Sequence, residues 1–331
     1  MIRLDDLNPY DPRRLALQVL SDRGIVEPPV DEQLIIEYFG AELDRTPISR
    51  IPGCKSLAAC KGRPSGMLQR RPGEDSPLLW VDPAAKDGRF RWTIFHELGH
   101  HDLGHSGTLF MDDDRTLRPA QGRPESLPTD YREVGHQTIL PGLSDLTGNG
   151  MSPVFVETAD SIRVKRQERH ANQYASEMIM PSQWLVPEAR DLPMGVDAVD
   201  QMATRYRASF EATAIRYAQA CPDKCAVLAV EPVTGSDGNH ASFTVLYCIR
   251  RKRSFLRGIH RDVQFPFSGL FANAWDTRGH VRGVVTGDLF GMGQHVELSA
   301  DALRLGSFDR VVALLWLESG QLPMLDGDAL A

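Results

Sequence analysis

Five residues, His96-Glu97-Leu98-Gly99-His100, restrict the fold more than anything else in this chain. Two histidines four apart share a face only on a helix, one turn above the other. In that conformation both imidazoles can point at a single metal ion. Glu97 stands beside them, within reach of a water bound to that ion. The spacing is that of two zinc ligands and a general base. The flanking residues suit a helix over residues 90–103, which follows the turn-forming Asp87-Gly88 and stops near Gly104. Ile94, Phe95 and Leu98 make it a buried helix, and Gly99 allows another backbone to approach closely.

A catalytic zinc takes three protein ligands and keeps one position open. The longer pattern HExxHxxGxxH would supply a third histidine. Here Leu103 and Ser106 stand at its glycine and histidine positions, so that pattern fails. His101 points away from the pair, and His105 is displaced by one residue. Both read as solvated or supporting histidines. The better third ligand is Glu168, in Glu168-Arg169-His170-Ala171-Asn172, on a helix expected from about 160 to 180 and stopped by Pro181. Asn172 lies one turn further on. Its amide oxygen could accept the second N–H of a ligand imidazole and fix the ring's tautomer. A charged surface helix bearing Lys165, Arg166 and Arg169 accounts for Glu168 equally well from spacing alone. If Glu168 is the ligand, removing it should strip the metal, whereas removing His105 should not.

Four stretches make the chain recognisable: PPVDEQLIIEYFGAEL, LLWVDPAAKDGRFRWTIFHELGH, ERHANQYASEMIMP and QMATRYRASFEATAIRYA. Together they resemble the ImmA/IrrE family of zinc-dependent metallopeptidases over residues 11–220. HExxH is shared by many families, but HELGH combined with ExxANxxAxxxxMP is far more specific. The resemblance implies an α+β, zincin-like metallopeptidase core in which His96, His100 and Glu168 bind Zn2+ and Glu97 activates water. It also implies a regulatory endopeptidase whose protein substrate is a helix-turn-helix transcriptional repressor. Two features depart from the family pattern. The gap between His100 and Glu168 is long, and some relatives carry a GAF-type sensor domain where this chain turns strand-rich.

Organisation follows from patterning. Residues 11–25 and a segment capped by Asp31 read as helices. Residues 46–76 read as loops around short strands, and Leu78–Val81 as a strand expected to line the site as an edge. Residues 105–160 hold Asp112-Asp113-Asp114 and several prolines, and read as a partly mobile insertion positioned to gate the site. Helices at Val196–Tyr206 and Phe210–Ala220, the second capped by Ser209, complete a domain of residues 1–221. Beyond it, residues 222–331 carry strand periodicity (CAVLAVEPV, ASFTVLYCIR, RGVVTGDLF, RVVALLWLE) and form a second, α/β regulatory or sensor-like domain.

Charge narrows the partners. Lys and Arg total 37 against 44 Asp and Glu, a net charge of −7, which argues against a nucleic-acid coat or a polybasic membrane binder. The first residues lack the apolar core of a signal peptide, and five cysteines form no disulfide framework, so a cytoplasmic setting is expected. Cys221 and Cys225, with Cys248, read as structural thiols rather than a second metal site. Cys54 and Cys60 read as ordinary free thiols, with a metal-plugging latch as the sharper alternative. The basic run Arg250-Arg251-Lys252-Arg253, with Arg257, His260 and Arg261, reads as a solvated hairpin tip. The second helix of the 196–220 pair carries only Arg216 as a phosphate contact, so direct nucleic-acid binding is not expected. His136, Tyr131 and Tyr174 are candidates for stabilising a transition state. A non-cleaving, metal-stabilised module that binds a repressor or a toxin–antitoxin partner is the alternative function, although it would have no use for Glu97.

Overall fold

The computed structural model describes residues 11–47, 50, 64–69, 76–85, 87–105, 109–113, 159–221, 225–236, 238–250, 259, 261–286, 297–306 and 309–318. Its contacts divide the chain into two compact units, Met1–Pro181 and Ser182–Ala331. The division differs from the expected boundary at residues 221–225, because the helices of residues 182–220 pack with the C-terminal sheet. Both units mix helices with mainly antiparallel sheets, an α+β architecture. Among the described residues no helix is long and apolar enough to cross a membrane.

The first unit opens with helices α1 (Pro12–Asp22) and α2 (Glu32–Tyr38), each capped by the aspartate before it. Asp11 accepts from the Arg13 N–H and Asp31 from the Gln33 N–H. Such caps satisfy backbone donors that the first helical turn leaves without partners. Strands β1 (Glu42–Asp44), β2 (Pro64–Gln69) and β3 (Leu78–Val81) follow, then helix α3 (Asp87–Asp102), strand β4 (Leu109–Asp113) and helix α4 (Ala159–Ile179). The sheet order is β1-β3-β2-β4, with β1 parallel to β3 and the other pairs antiparallel. Two expectations are corrected here. Leu78–Val81 is an interior strand, hydrogen-bonded on both sides, so it cannot accept a further strand. The supposed insertion begins as sheet: Leu109–Asp113 pairs with β2 and forms an outer edge. Residues 106–108 and 114–158, with Tyr131 and His136, lie outside the described residues, as do Cys54, Cys60, Arg251, Lys252, Arg253, Arg257 and His260.

Helix α3 is the axis of this unit. Its residues from Thr93 to His100 are all buried, and Arg91 before them is fully enclosed. A buried guanidinium needs partners. Arg91 donates to Glu32 Oε2 at 2.9 Å and to the Val30 carbonyl at 2.6 Å, which ties α2 to the motif helix.

The second unit begins with α5 (Ser182–Asp191), α6 (Val196–Tyr206) and α7 (Phe210–Ala220). Ser209 caps α7 by accepting the Ala212 N–H. Strands β5 (Cys225–Thr234), β6 (His240–Ile249) and β7 (Gln264–Pro266) come next. Helix α8 (Gly269–Thr277) precedes β8 (His280–Thr286), β9 (Glu297–Leu305) and β10 (Arg310–Trp316). The six strands form one antiparallel sheet, β7-β6-β5-β10-β9-β8, with the first and last strands adjacent at its centre. Phe243, Phe265, Phe271 and Leu270 pack with alternate residues of β5, β9 and β10 into its core.

Candidate metal centre

The i, i+4 geometry brings His96 and His100 together on α3, and α4 brings Glu168 against them. The two Nε2 atoms lie 3.2 Å apart. Glu168 Oε2 is 3.3 Å from His96 Nε2, and Oε1 is 3.4 Å from His100 Nε2. A tetrahedral ion with bonds of about 2.0–2.1 Å holds its ligand atoms about 3.3–3.4 Å apart. The imidazole pair is close to one edge of such a tetrahedron, and each imidazole has its own carboxylate oxygen of Glu168 at a similar distance. These residues can therefore hold a metal ion among them, and two imidazoles with one carboxylate suit a borderline cation such as zinc. Burial alone would raise the Glu168 pKa. Hydrogen bonds from His100 and His96, and their charge, outweigh it and hold the carboxyl down at about 2. The group is thus an anion, ready to ligate.

Packing explains why these side chains can meet. A Cβ on Gly99 would stand 3.0 Å from the Tyr174 ring, so the glycine lets α4 close onto α3. The expected close approach at Gly99 is to a side chain rather than a backbone. Tyr174 itself is fully buried, with the Asp102 carboxylate near enough to act on its phenol. Burial and that carboxylate push the phenol well above its ordinary range. Its ring fills the space beside Gly99 between the two helices.

Glu97 is buried beside the two histidines. Gly66 on β2 makes the room: a Cβ there would stand 2.1 Å from Thr93 Cγ2 and 3.4 Å from Glu97 Oε1. Sequence reasoning missed this residue, although a lone glycine inside the strand PSGMLQ is the usual sign of a close approach.

Asn172 is half-buried, one turn beyond Glu168 on α4. His105 Nδ1 lies 2.9 Å from His100 Nδ1, with His105 only 7% exposed. His105 is therefore neither solvated nor a ligand in the three-residue group. His101 sits away from the site, edge-on to Phe39.

Comparison with known proteins adds little. No protein-family model and no curated protein matches the chain. Among solved structures, a Mycobacterium tuberculosis transcriptional regulator matches at 14% identity with a TM-score of 0.46, over 92% of this chain and 76% of that one. A likeness at that level is too distant to transfer a fold or an activity.

Proposed function

We propose that the chain is a zinc metalloendopeptidase with a zincin-like first unit, which cuts a helix-turn-helix transcriptional repressor at a defined site in a regulatory or stress response. The observation that carries the chemistry is the convergence of His96, His100 and Glu168 with Glu97 buried next to them. A purely structural metal would have no need of that glutamate. The family resemblance supplies the substrate class, and the acidic chain supports a protein rather than a nucleic acid as partner.

When bound, zinc polarises the scissile carbonyl and lowers the pKa of its water towards about 7. Glu97 takes the water proton and passes it to the leaving amine, so that bond breaking releases a neutral amine. Gly66 leaves the space in which the glutamate lies against β2. Residues of the substrate add as a strand along β4, which is antiparallel to β2 and has a free outer edge among the described residues. Selectivity is expected from surfaces away from the metal, including the second unit. Its antiparallel sheet, with first and last strands adjacent and α8 on one face, suits a GAF-like sensor. Such an enzyme would work in the cytoplasm.

Purified protein with zinc, incubated with a helix-turn-helix repressor encoded beside it and with casein, tests the reading. The repressor should be cut at one site and casein spared. Glu97→Gln should lose at least about 100-fold in rate, as expected for removing a general base, while keeping its zinc. Digestion of casein with an intact repressor would overturn the substrate assignment. Tight repressor binding without cleavage, unchanged in Glu97→Gln, would favour a non-cleaving regulatory module.

A further inference from the structure

We infer that His105 is a positioning residue of the metal centre: it accepts the Nδ1–H of His100 and so holds that ring with its Nε2 free to ligate. The inference rests on the metal-site reading above and adds a residue to it.

The backbone sets up the contact. At the end of α3, the Gly104 N–H bonds the His101 carbonyl at 3.1 Å and the His105 N–H bonds the His100 carbonyl at 3.1 Å. Gly104 has φ +61°. This is a Schellman close. In that motif the residue after the glycine folds back against the residue whose carbonyl it caps, usually through an apolar contact. Here that inner residue is the ligand His100, and the residue folded onto it is His105. The one-residue displacement that removes His105 from the HExxHxxGxxH pattern places it behind a ligand instead.

The contact is polar and admits one proton arrangement. The rings meet edge to face, 4.9 Å between centroids and 70° between planes. A ligating Nε2 offers its lone pair to the metal, so the proton of neutral His100 is on Nδ1. That N–H has His105 Nδ1 before it at 2.9 Å. His105 must therefore present a lone pair there and carry its own proton on Nε2. The expectation that His105 is dispensable for metal binding is accordingly reversed.

Zinc affinity of the full chain, measured by competition with a chromophoric chelator, tests the assignment. His105→Phe keeps a buried ring but removes the acceptor. His105→Asn puts an amide oxygen close to the place of Nδ1. The Phe variant should bind zinc about 10–100-fold more weakly than wild type, and the Asn variant should recover most of that loss. Gly104→Ala, whose methyl meets no atom within 4 Å but must adopt a left-handed conformation, should weaken binding with His105 still in place. Zinc binding by His105→Phe at wild-type strength, or by Asn no better than Phe, would overturn the inference. Nitrogen-15 spectra of zinc-loaded wild type decide it even where a variant fails to fold. A His105 ring protonated on Nε2 supports it, and one protonated on Nδ1 overturns it. Wild type that takes up no zinc overturns this inference and the metal reading together. Cleavage plays no part in the readout, so a chain that binds zinc and cuts nothing loses the peptidase reading while the His105 comparison still decides this one.

Discussion

At the residue scale the site depends on what is absent as much as on what is present. His96, His100 and Glu168 supply ligand atoms, but two glycines let them be reached. Gly99 admits the Tyr174 ring, and Gly66 admits Thr93 and the Glu97 side chain. The Gly66 position is the harsher test, because a Cβ at 2.1 Å from Thr93 Cγ2 requires either the strand or the helix to move. Gly66→Ala should therefore destabilise the protein by about 1–3 kcal/mol, the usual penalty for overpacking. Cleavage should fall further than zinc binding, because the clash falls on Thr93, one turn before the base Glu97, and Glu97 rather than a ligand lies against the same spot. Denaturant unfolding, a zinc titration and a cleavage rate measured on the one variant would show this ordering. Equal losses in all three would mean that β2 supports the fold only.

At the element scale, legibility followed the range of the interactions. The caps at Asp31 and Ser209 are local, and α1, α2, α3, α6 and α7 could be read from them and from helical periodicity. The metal pair was legible because helix geometry alone joins residues four apart. Spacing alone left Glu168 level with a surface carboxylate, and only the family resemblance favoured it, since α4 reaches α3 from far along the chain. Strand β9 escaped notice because ELSADALRL, rich in alanine and leucine, looks helical and becomes a strand only between β8 and β10. Within β9, Asp301 is fully buried and joins three elements. It accepts the Val196 N–H at the start of α6, Arg282 Nη2 at 2.9 Å and the His280 ring. Burial would raise its pKa, but these donors outweigh burial and lower it below the ordinary 3.8. A carboxyl with a depressed folded pKa contributes stability that is complete above 3.8 and fades as pH falls through the folded value. Asp301→Ala should thus lose about 1–3 kcal/mol at neutral pH, the penalty for stranding buried donors. The gap from wild type should narrow below pH 3.8, as unfolding curves across acid pH would reveal.

At the scale of the whole molecule, the division at Pro181 and Ser182 says which pieces should fold alone. Sequence periodicity favoured a break near Cys221, where helices give way to strands, since a change of pattern is all that periodicity can register. Packing contradicts that boundary through particular bonds. Glu211 on α7 receives the Tyr247 hydroxyl at 2.7 Å and Arg310 at 2.8 Å, and Val196 on α6 gives its N–H to Asp301. A fragment starting at residue 222 would leave Tyr247, Arg310 and Asp301 without these partners. Each stranded polar group alone carries a penalty of about 1–3 kcal/mol, against a typical domain stability of about 5–15 kcal/mol. A fragment of residues 182–331 should therefore unfold in one cooperative transition, with dispersed amide resonances in its folded state. The fragment of residues 222–331 should be unfolded or strongly destabilised under the same conditions. Denaturant curves on the two purified pieces, recorded side by side, make the comparison. Equal stability would return the boundary to residue 221 and leave the three helices as an appendage of the metal-binding unit.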